Sequence, residues 1–210
     1  MTTKNIDSES KKGRPLSFDR NAALHKSMLL FWQHGYEATS LNNLTTELGV
    51  KPSSIYSAFG DKKSLFLESV KHYLSGPVTA ESIIAEASDG RDAAERMLRG
   101  SAVAFTGVDT PAGCLLASSA ISCSEAANDV RQQLASIRRG IENLLIAKIE
   151  SSVAAGSLPS DSNAEGLASF TMAVIQGLST LARDGASREK LLRVVDTAMQ
   201  AWPSAILIDC

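Results

Sequence analysis

Apolar residues recur three and four positions apart along most of the chain, which is the spacing of one face of an α-helix. Leu41, Leu44 and Leu48 form a short face of this kind, and Gly49 ends it. A longer face in residues 128–155 consists of Leu134, Ile137, Ile141, Leu145, Ile149 and Val153. Because the chain shows neither the alternating pattern of β-strands nor an internal repeat, the sequence predicts an all-α fold.

Glycine, proline and capping residues divide this pattern into ten helices. The predicted spans are residues 18–34, 41–48, 53–59, 62–74, 78–87, 92–107, 114–122, 128–155, 163–184 and 187–202. Asp92 and Asp161 are the predicted N-caps of the sixth and ninth helices. Gly76 and Pro77 interrupt the pattern, so we expect a flexible basic arm (residues 1–17), a first domain (18–75) and a second domain (76–210).

The second and third helices have the pattern of a helix-turn-helix. A tight turn follows Gly49, and Pro52 opens the next helix at a position where a missing N–H has no cost. Ile55 and Phe59 of that helix face inward, which leaves its serines outward. Lysines in the first turn of the fourth helix oppose the helix dipole and are better explained as phosphate contacts. The pattern predicts a DNA-binding domain with residues 53–59 as the recognition helix.

Charge supports this prediction modestly. The formal net charge is −2, but residues 1–75 carry ten basic and seven acidic side chains, a net charge of +3, whereas residues 76–210 carry −5. A basic end on an acidic body favours phosphate binding at that end. No apolar run approaches the roughly 20 residues of a membrane span, and the N-terminus is polar. With three widely spaced cysteines, these features predict a cytoplasmic protein without structural disulfides.

Several short motifs between residues 24 and 67 occur in one order and spacing: LF at 30–31, GYEATS at 35–40, LGV at 48–50, IY at 55–56 and F-x-x-K at 59–62. In these motifs the chain resembles the TetR/AcrR family of one-component transcriptional regulators. The resemblance implies an N-terminal helix-turn-helix domain and a C-terminal helical domain for effector binding and dimerisation. It also implies a repressor that a small-molecule effector releases from a palindromic double-stranded operator.

The DNA contacts that the resemblance implies come from the recognition helix and its flanks: Thr39, Lys51, Pro52, Ser53, Ser54, Tyr56, Ser57 and Lys62. The serines and Lys51 would meet base edges and flanking phosphates, whereas Thr39, Tyr56 and Lys62 would hold the backbone. Tyr56 has the alternative of simple packing, and Lys62 that of a solvated charge. Since the recognition helix has no Arg, Asn or Gln, we expect reliance on apolar contacts, water or DNA shape.

Arg14 lies in a small basic cluster of the arm. It has two readings, insertion into the minor groove beside the helix-turn-helix site or part of a solubilising tail.

The ninth helix carries two stripes. One contains large apolar residues, and the other contains Ala168, Thr171, Ile175, Ser179 and Ala182. Such a helix can bury one stripe inward and the other against a second copy, giving a twofold homodimer with a four-helix interface. The resemblance implies the same dimer. The alternative is that both stripes pack within one chain.

An effector cavity in the second domain would be lined by apolar side chains with a few polar groups. The candidate residues are Met97, Phe105, Cys114, Leu115, Ser118, Phe170 and Gln176. Each has the alternative of an ordinary core residue. Low aromatic content and the lack of a charged cluster in these segments predict a small neutral or apolar effector. We expect no metal and no cofactor, and no motif indicates an enzyme.

Cys114 stands at the start of a predicted helix, where the positive end of the dipole favours a thiolate. Its G-C-L segment resembles a branch of the family that includes regulators responding to electrophiles and oxidants. Cys114 is therefore a candidate redox switch, with a small buried hydrophobe as the alternative. A further alternative for the whole chain is a dimeric ligand-binding module that has lost DNA binding.

Overall fold

The computed structural model describes residues 18–119 and 125–203, and every regular element within them is a helix. This confirms the all-α prediction. Arg14 and the rest of the arm lie outside the described residues. Four helices form the N-terminal part: α1, Arg20–His34; α2, Leu41–Leu48; α3, Pro52–Phe59; and α4, Lys62–Leu74.

Side-chain caps and proline set where these helices begin. Asp19 accepts hydrogen bonds from the first N–H groups of α1, and Ser40 forms a reciprocal capping box with Asn43 at the start of α2. Pro52 occupies the first turn of α3, and Asp61 caps α4. These are local features, so the predicted starts lie within two residues of the observed ones.

The four helices close around one apolar core. Phe31 of α1, Leu44 of α2, Ile55 of α3 and Phe66 of α4 are completely buried. The rings of Phe31 and Phe66 meet edge to face with their centroids 5.1 Å apart. Burial of each such side chain contributes about 1.5–3 kcal/mol. With Ile55 held inward, the opposite face of α3 must point to solvent.

Six further helices form the C-terminal part: α5, Ala80–Glu86; α6, Gly90–Ala104; α7, Leu115–Ser118; α8, Asn128–Ala154; α9, Ala164–Arg183; and α10, Arg188–Gln200. A single 3-10 turn, Glu125–Ala127, precedes α8. The long helices α8 and α9 pack against each other and against α6. Leu134, Leu145 and Ile149 of α8 are completely buried in this domain's core, as the apolar spacing of that helix predicted.

Two predicted N-caps are wrong by two or three residues. Asp89, not Asp92, caps α6, and its carboxylate accepts the N–H of Asp92 at 2.8 Å. The carboxylate of Asp92 instead accepts from the Ser88 N–H at 2.8 Å. Asn163, not Asp161, caps α9. A hydrogen bond from Ser162 N–H to the Pro159 carbonyl forms a turn that delays this helix.

The stripe of small residues on α9 is the inward one. Ala168, Thr171, Ser179 and Ala182 are buried within the single chain. The opposite side carries Phe170, which is 36% exposed and is among the larger exposed apolar side chains. On the same stripe of large residues, Val174 is half-buried and Leu178 is completely buried, so a single chain leaves part of this face exposed.

Candidate functional site

One solvent-facing surface of α3 gathers most of the predicted DNA contacts. Lys51, Pro52, Ser53, Tyr56 and Ser57 are exposed. Ser54 lies beside them and is half-buried. Tyr56 is 51% exposed, so the structure does not bear out its alternative reading as a packed aromatic residue. The left-handed Gly49 between α2 and α3 sets the angle at which this surface is presented.

Thr39 is placed differently from its predicted role. Its side chain is 1% exposed, and its Oγ1 donates to the Gly35 carbonyl at 2.7 Å. The hydroxyl stabilises the loop between α1 and α2, because its donor is already used inside the protein. It is not presented to a phosphate in this conformation.

Lys62 lies at the start of α4 with its ammonium over an aromatic ring. The Nζ atom is 4.5 Å from the centroid of Tyr36 and 3.4 Å from the Glu37 carbonyl oxygen. Partial burial lowers the pKa of Lys62, and the Glu37 carboxylate opposes that shift. Tyr36 thus holds the ammonium group of Lys62 in place at the start of α4.

A cavity of about 350 Å³ lies between the two parts of the chain. Four predicted effector residues line it: Met97, Phe105, Cys114 and Gln176. Three others do not. Leu115 is fully buried core, Ser118 donates its hydroxyl to the Cys114 carbonyl at 2.8 Å, and Phe170 lies on the outer face of α9. Helical spacing identified inward faces, but it does not distinguish a cavity wall from solid core.

The lining residues that the sequence analysis missed include Trp32 of α1, Tyr73 of α4 and Arg138 of α8. The first two belong to the predicted DNA-binding domain, and their rings meet edge to face at 4.9 Å. Arg138 did leave a sequence signal, since it is a charge four residues after Leu134 and three before Ile141 on an inward stripe. The cavity wall is thus shared by both domains.

Hydrogen bonds hold Tyr73 and Arg138 in place on the cavity wall. The Tyr73 hydroxyl donates to the Cys114 Sγ at 3.5 Å. Burial raises the pKa of Tyr73 far above its ordinary value, and the neighbouring Cys114 raises it further, so the phenol stays protonated. The Nη1 atom of Arg138 donates to the Leu116 carbonyl at 2.7 Å.

The sequence argument for an activated Cys114 loses part of its basis. Cys114 is the N-cap residue of α7, and α7 has only four residues. A macrodipole sums peptide dipoles along a helix, so a single turn contributes little. Cys114 is 9% exposed and lines the cavity, where its sulfur accepts a hydrogen bond from the Tyr73 hydroxyl.

The backbone at Gly113 and Cys114 joins the cavity to both α1 and α9. Trp32 donates its indole N–H to the Gly113 carbonyl at 3.1 Å, and the Cys114 N–H donates to the Ser179 Oγ at 2.8 Å. Arg183 donates to the carbonyls of Trp32 and Gln33 at the end of α1, at 3.2 and 3.0 Å. The cavity wall is therefore hydrogen-bonded directly to the C-terminal end of α1 and to α9.

A second link joins the domains at the other side. Lys63 of α4 forms an ion pair with Asp129 near the start of α8. The pair lowers the pKa of Asp129 and raises that of Lys63, in both cases mainly through their hydrogen bond. Lys63, which the sequence suggested as a phosphate contact, is thereby engaged within the protein.

In the part of the chain that the structure describes, no helix has the length and apolar character that crossing a membrane requires.

Comparisons with known proteins agree with this arrangement. Residues 23–69 match the model of the bacterial regulatory proteins of the tetR family, and residues 93–201 match the tetracyclin repressor-like C-terminal domain. The chain is 36% identical over 197 residues to the HTH-type transcriptional repressor ComR of Escherichia coli (strain K12), covering 93% of this chain and 94% of ComR. It is 26% identical over 190 residues to the repressor BdcR of the same organism, covering 90% and 91%.

A solved relative is similar in fold and sequence. A cysteine mutant of the TetR family transcriptional regulator CifR, in complex with 26-base-pair double-strand operator DNA, superposes with a TM-score of 0.85 at 37% identity. The match covers 90% of this chain and 100% of that one. Two family models that cover the helix-turn-helix and most of the C-terminal domain, with relatives that match at full length, establish the family: this chain belongs to the TetR family of transcriptional regulators.

Proposed function

We propose that this protein is a homodimeric repressor that binds a palindromic operator and leaves it when a small molecule enters the cavity. The observation that carries the proposal is the exposed polar face of α3, held outward by Ile55 and Phe59 on a fully packed three-helix support. Nothing in the packing of the domain requires serines, a lysine and an exposed tyrosine there. A surface that reads DNA does require them.

The proposed DNA contacts divide by chemistry. Ser53 and Ser57 stand on the outer face of α3 and would reach base edges, whereas Lys51, Tyr56 and Lys62 would hold phosphates and set the register. Hydroxyl groups both donate and accept, so they discriminate bases less sharply than a bidentate side chain does. Sequence-dependent DNA shape would supply part of the specificity. Arg14 in the arm remains a candidate for the minor groove.

The proposed dimer uses the open face of α9 together with α10. Phe170 and Val174 of α9 and Val194 and Ala198 of α10 line a broad, open depression with basic residues at its edge. Two such faces related by a twofold axis would bury one another and set two α3 helices about one DNA turn apart. The relative CifR, solved with double-strand operator DNA, supports DNA binding by this fold.

The proposed switch uses the shared wall of the cavity. Trp32 lines the cavity and is also bonded to the Gly113 carbonyl, so a ligand that displaces either one shifts α1 against the C-terminal domain. Release requires only that the effector bind more tightly to the conformation in which the two α3 helices of the dimer are not spaced to fit the operator. A ligand with equal affinity for both spacings would change nothing.

The experiment is selection from random duplex DNA with purified protein at near-physiological salt. We expect enrichment of a palindrome whose half-sites are about one helical turn apart or slightly more. Ser57→Ala should change the preferred base at one position of each half-site, and Ser75→Ala, outside the DNA-facing surface at the end of α4, is the matched control. A folded, dimeric protein that enriches no sequence would favour the alternative of a binding module that has lost DNA recognition.

A thiol switch at Cys114 is the second candidate, favoured by the position of its sulfur in the cavity beside the Tyr73 hydroxyl. Addition of the Cys114 thiol across the double bond of N-ethylmaleimide would fill the cavity covalently. In a Cys123→Ser, Cys210→Ser background, complete modification should lower operator affinity, and Cys114→Ser should abolish the response. Unchanged affinity after full modification rules out this candidate.

A further inference from the structure

One cation stands on the wall of the cavity. Arg138 is the one Lys, Arg or His side chain among the lining residues within the described part of the chain, and no Asp or Glu is among them. The remaining wall is mostly aliphatic, aromatic and thioether surface, and its neutral polar side chains are those of Tyr73, Thr79, Ser101 and Gln176. The formal charge on the described cavity wall is therefore positive, and it belongs to one guanidinium group.

Arg138 lies on the inward face of α8, where an apolar side chain would be expected. Leu134 and Ile141, its neighbours on the inward stripe of α8, are both buried. Partial burial lowers the pKa of Arg138 and the adjacent Arg139 adds to that effect, although Cys114 opposes it. A half-buried charge is costly unless it is paired, and an apolar residue would avoid that cost.

The contacts of Arg138 orient the guanidinium without compensating its charge. One N–H donates to the carbonyl of Leu116, the second residue of α7. A guanidinium has five N–H donors. Among the described residues, no carboxylate lies within 4.0 Å of the Arg138 guanidinium, whereas Arg20 pairs with one carboxylate and Arg99 with two. The Leu116 contact alone does not explain the residue, since a neutral amide could supply the same donor.

We propose that the cavity takes a small organic carboxylate with an apolar body, whose carboxylate group pairs with Arg138. The cavity volume of about 350 Å³ is at the lower end of ligand pockets, which suits a small ligand. The apolar wall would enclose the apolar part of the ligand. The guanidinium would donate hydrogen bonds to the two oxygens of its carboxylate group. This inference rests on the proposed function for its regulatory meaning and replaces the neutral effector that the sequence analysis expected.

The test compares isosteric pairs by calorimetric titration of the full-length protein. The probes are hexanoate with hexanamide, octanoate with octanamide, and benzoate with benzamide. We expect at least one carboxylate to bind the natural protein tenfold or more tightly than its amide, which is about 1.4 kcal/mol. Arg138→Gln should remove that ratio. Arg139→Gln is the matched control, because Arg139 is exposed and does not line the cavity, and it should keep the ratio.

Three results would overturn the proposal: equal affinity for each acid and its amide, a ratio that survives Arg138→Gln, or no binding by any of the six compounds. If Arg138→Gln does not fold, Arg138→Lys decides, since it keeps the charge and should keep most of the ratio. Operator binding is measured separately by fluorescence anisotropy. A carboxylate that binds without releasing DNA would leave the ligand class intact and refute its role as effector, whereas failure to bind any operator would refute only the proposed function.

Discussion

Replacement of Gly113 by alanine tests whether the segment before α7 is packed tightly between α1 and α9. Gly113 has a φ of +81°, a conformation that residues with a Cβ rarely adopt. A Cβ at this position would lie 2.8 Å from the Ser179 carbonyl oxygen and 2.9 Å from the Arg183 Cγ. The first of these is backbone of α9, which cannot rotate away. The segment that links α1 to α9 must therefore shift in the variant.

The expected loss of stability has two parts. A left-handed conformation costs alanine about 1–2 kcal/mol relative to glycine. Overpacking against a fixed neighbour costs about 1–3 kcal/mol more. The sum, roughly 2–5 kcal/mol, is a large fraction of the 5–15 kcal/mol by which typical domains are stable. Because the Gly113 carbonyl also accepts the Trp32 indole N–H, the variant should weaken the link to α1 as well.

The control is Gly156→Ala, since Gly156 has a φ of +75° and no atom within 4 Å of a built Cβ. It shares the conformational cost and lacks the collision. Urea unfolding followed by circular dichroism, at one protomer concentration because dimer stability depends on it, gives the two losses. We expect Gly113→Ala to be less stable than Gly156→Ala by about 1–3 kcal/mol. Equal losses would show that the segment is not confined between α1 and α9.

Three further outcomes follow from single contacts. Lys62→Ala should weaken binding to all DNA sequences alike and reduce the salt-dependence slope by about 1 in fluorescence anisotropy titrations; a loss confined to the operator would contradict a phosphate contact. Trp32→Phe keeps a ring in the cavity but removes the N–H that Gly113 accepts, so the ligand-induced change in operator affinity should shrink; an undiminished change would place the coupling elsewhere. The pKa of Asp129 is lowered in the folded protein, so its stabilising effect is fully present above its unfolded value near 4 and is lost as pH falls through the folded value; Asp129→Asn should therefore reduce the urea midpoint more at pH 7 than at pH 3, and equal reductions would contradict the ion pair.

Local signals explain why the DNA-binding part was predictable. The apolar spacing of α2, its closing glycine and the proline at the start of α3 act over a few residues, and they place Ser53, Tyr56 and Ser57 on one exposed face without tertiary information. Where two capping residues compete, local signals fail. Asp89 and Asp92 are equally good caps by type, and the choice depends on hydrogen bonds that only the folded chain makes.

Cavity residues were predicted less well, for a physical reason. Periodicity identifies the inward face of each helix, and it thereby found Met97 and Gln176. It cannot find where inward faces fail to meet, because a void is a property of several helices at once. Phe170 shows the converse error, since a large apolar residue on α9 lies on its outer face and not in the interior. Thr39, whose hydroxyl turns inward, could not be distinguished from an exposed threonine by sequence alone.

The boundary predicted at residues 75 and 76 runs through the cavity and does not separate a DNA-binding function from a ligand-binding one. Trp32 and Tyr73 precede the boundary, Arg138 follows it, and all three line the same space. A ligand in this cavity would contact α1 and α4 directly. The side chains that shape the cavity therefore belong to the helices that support α3. Coupling then needs no chain of intermediate residues through the C-terminal core. By thermodynamic reciprocity, a ligand that lowers operator affinity by some factor must itself bind more weakly to the operator-bound protein by the same factor.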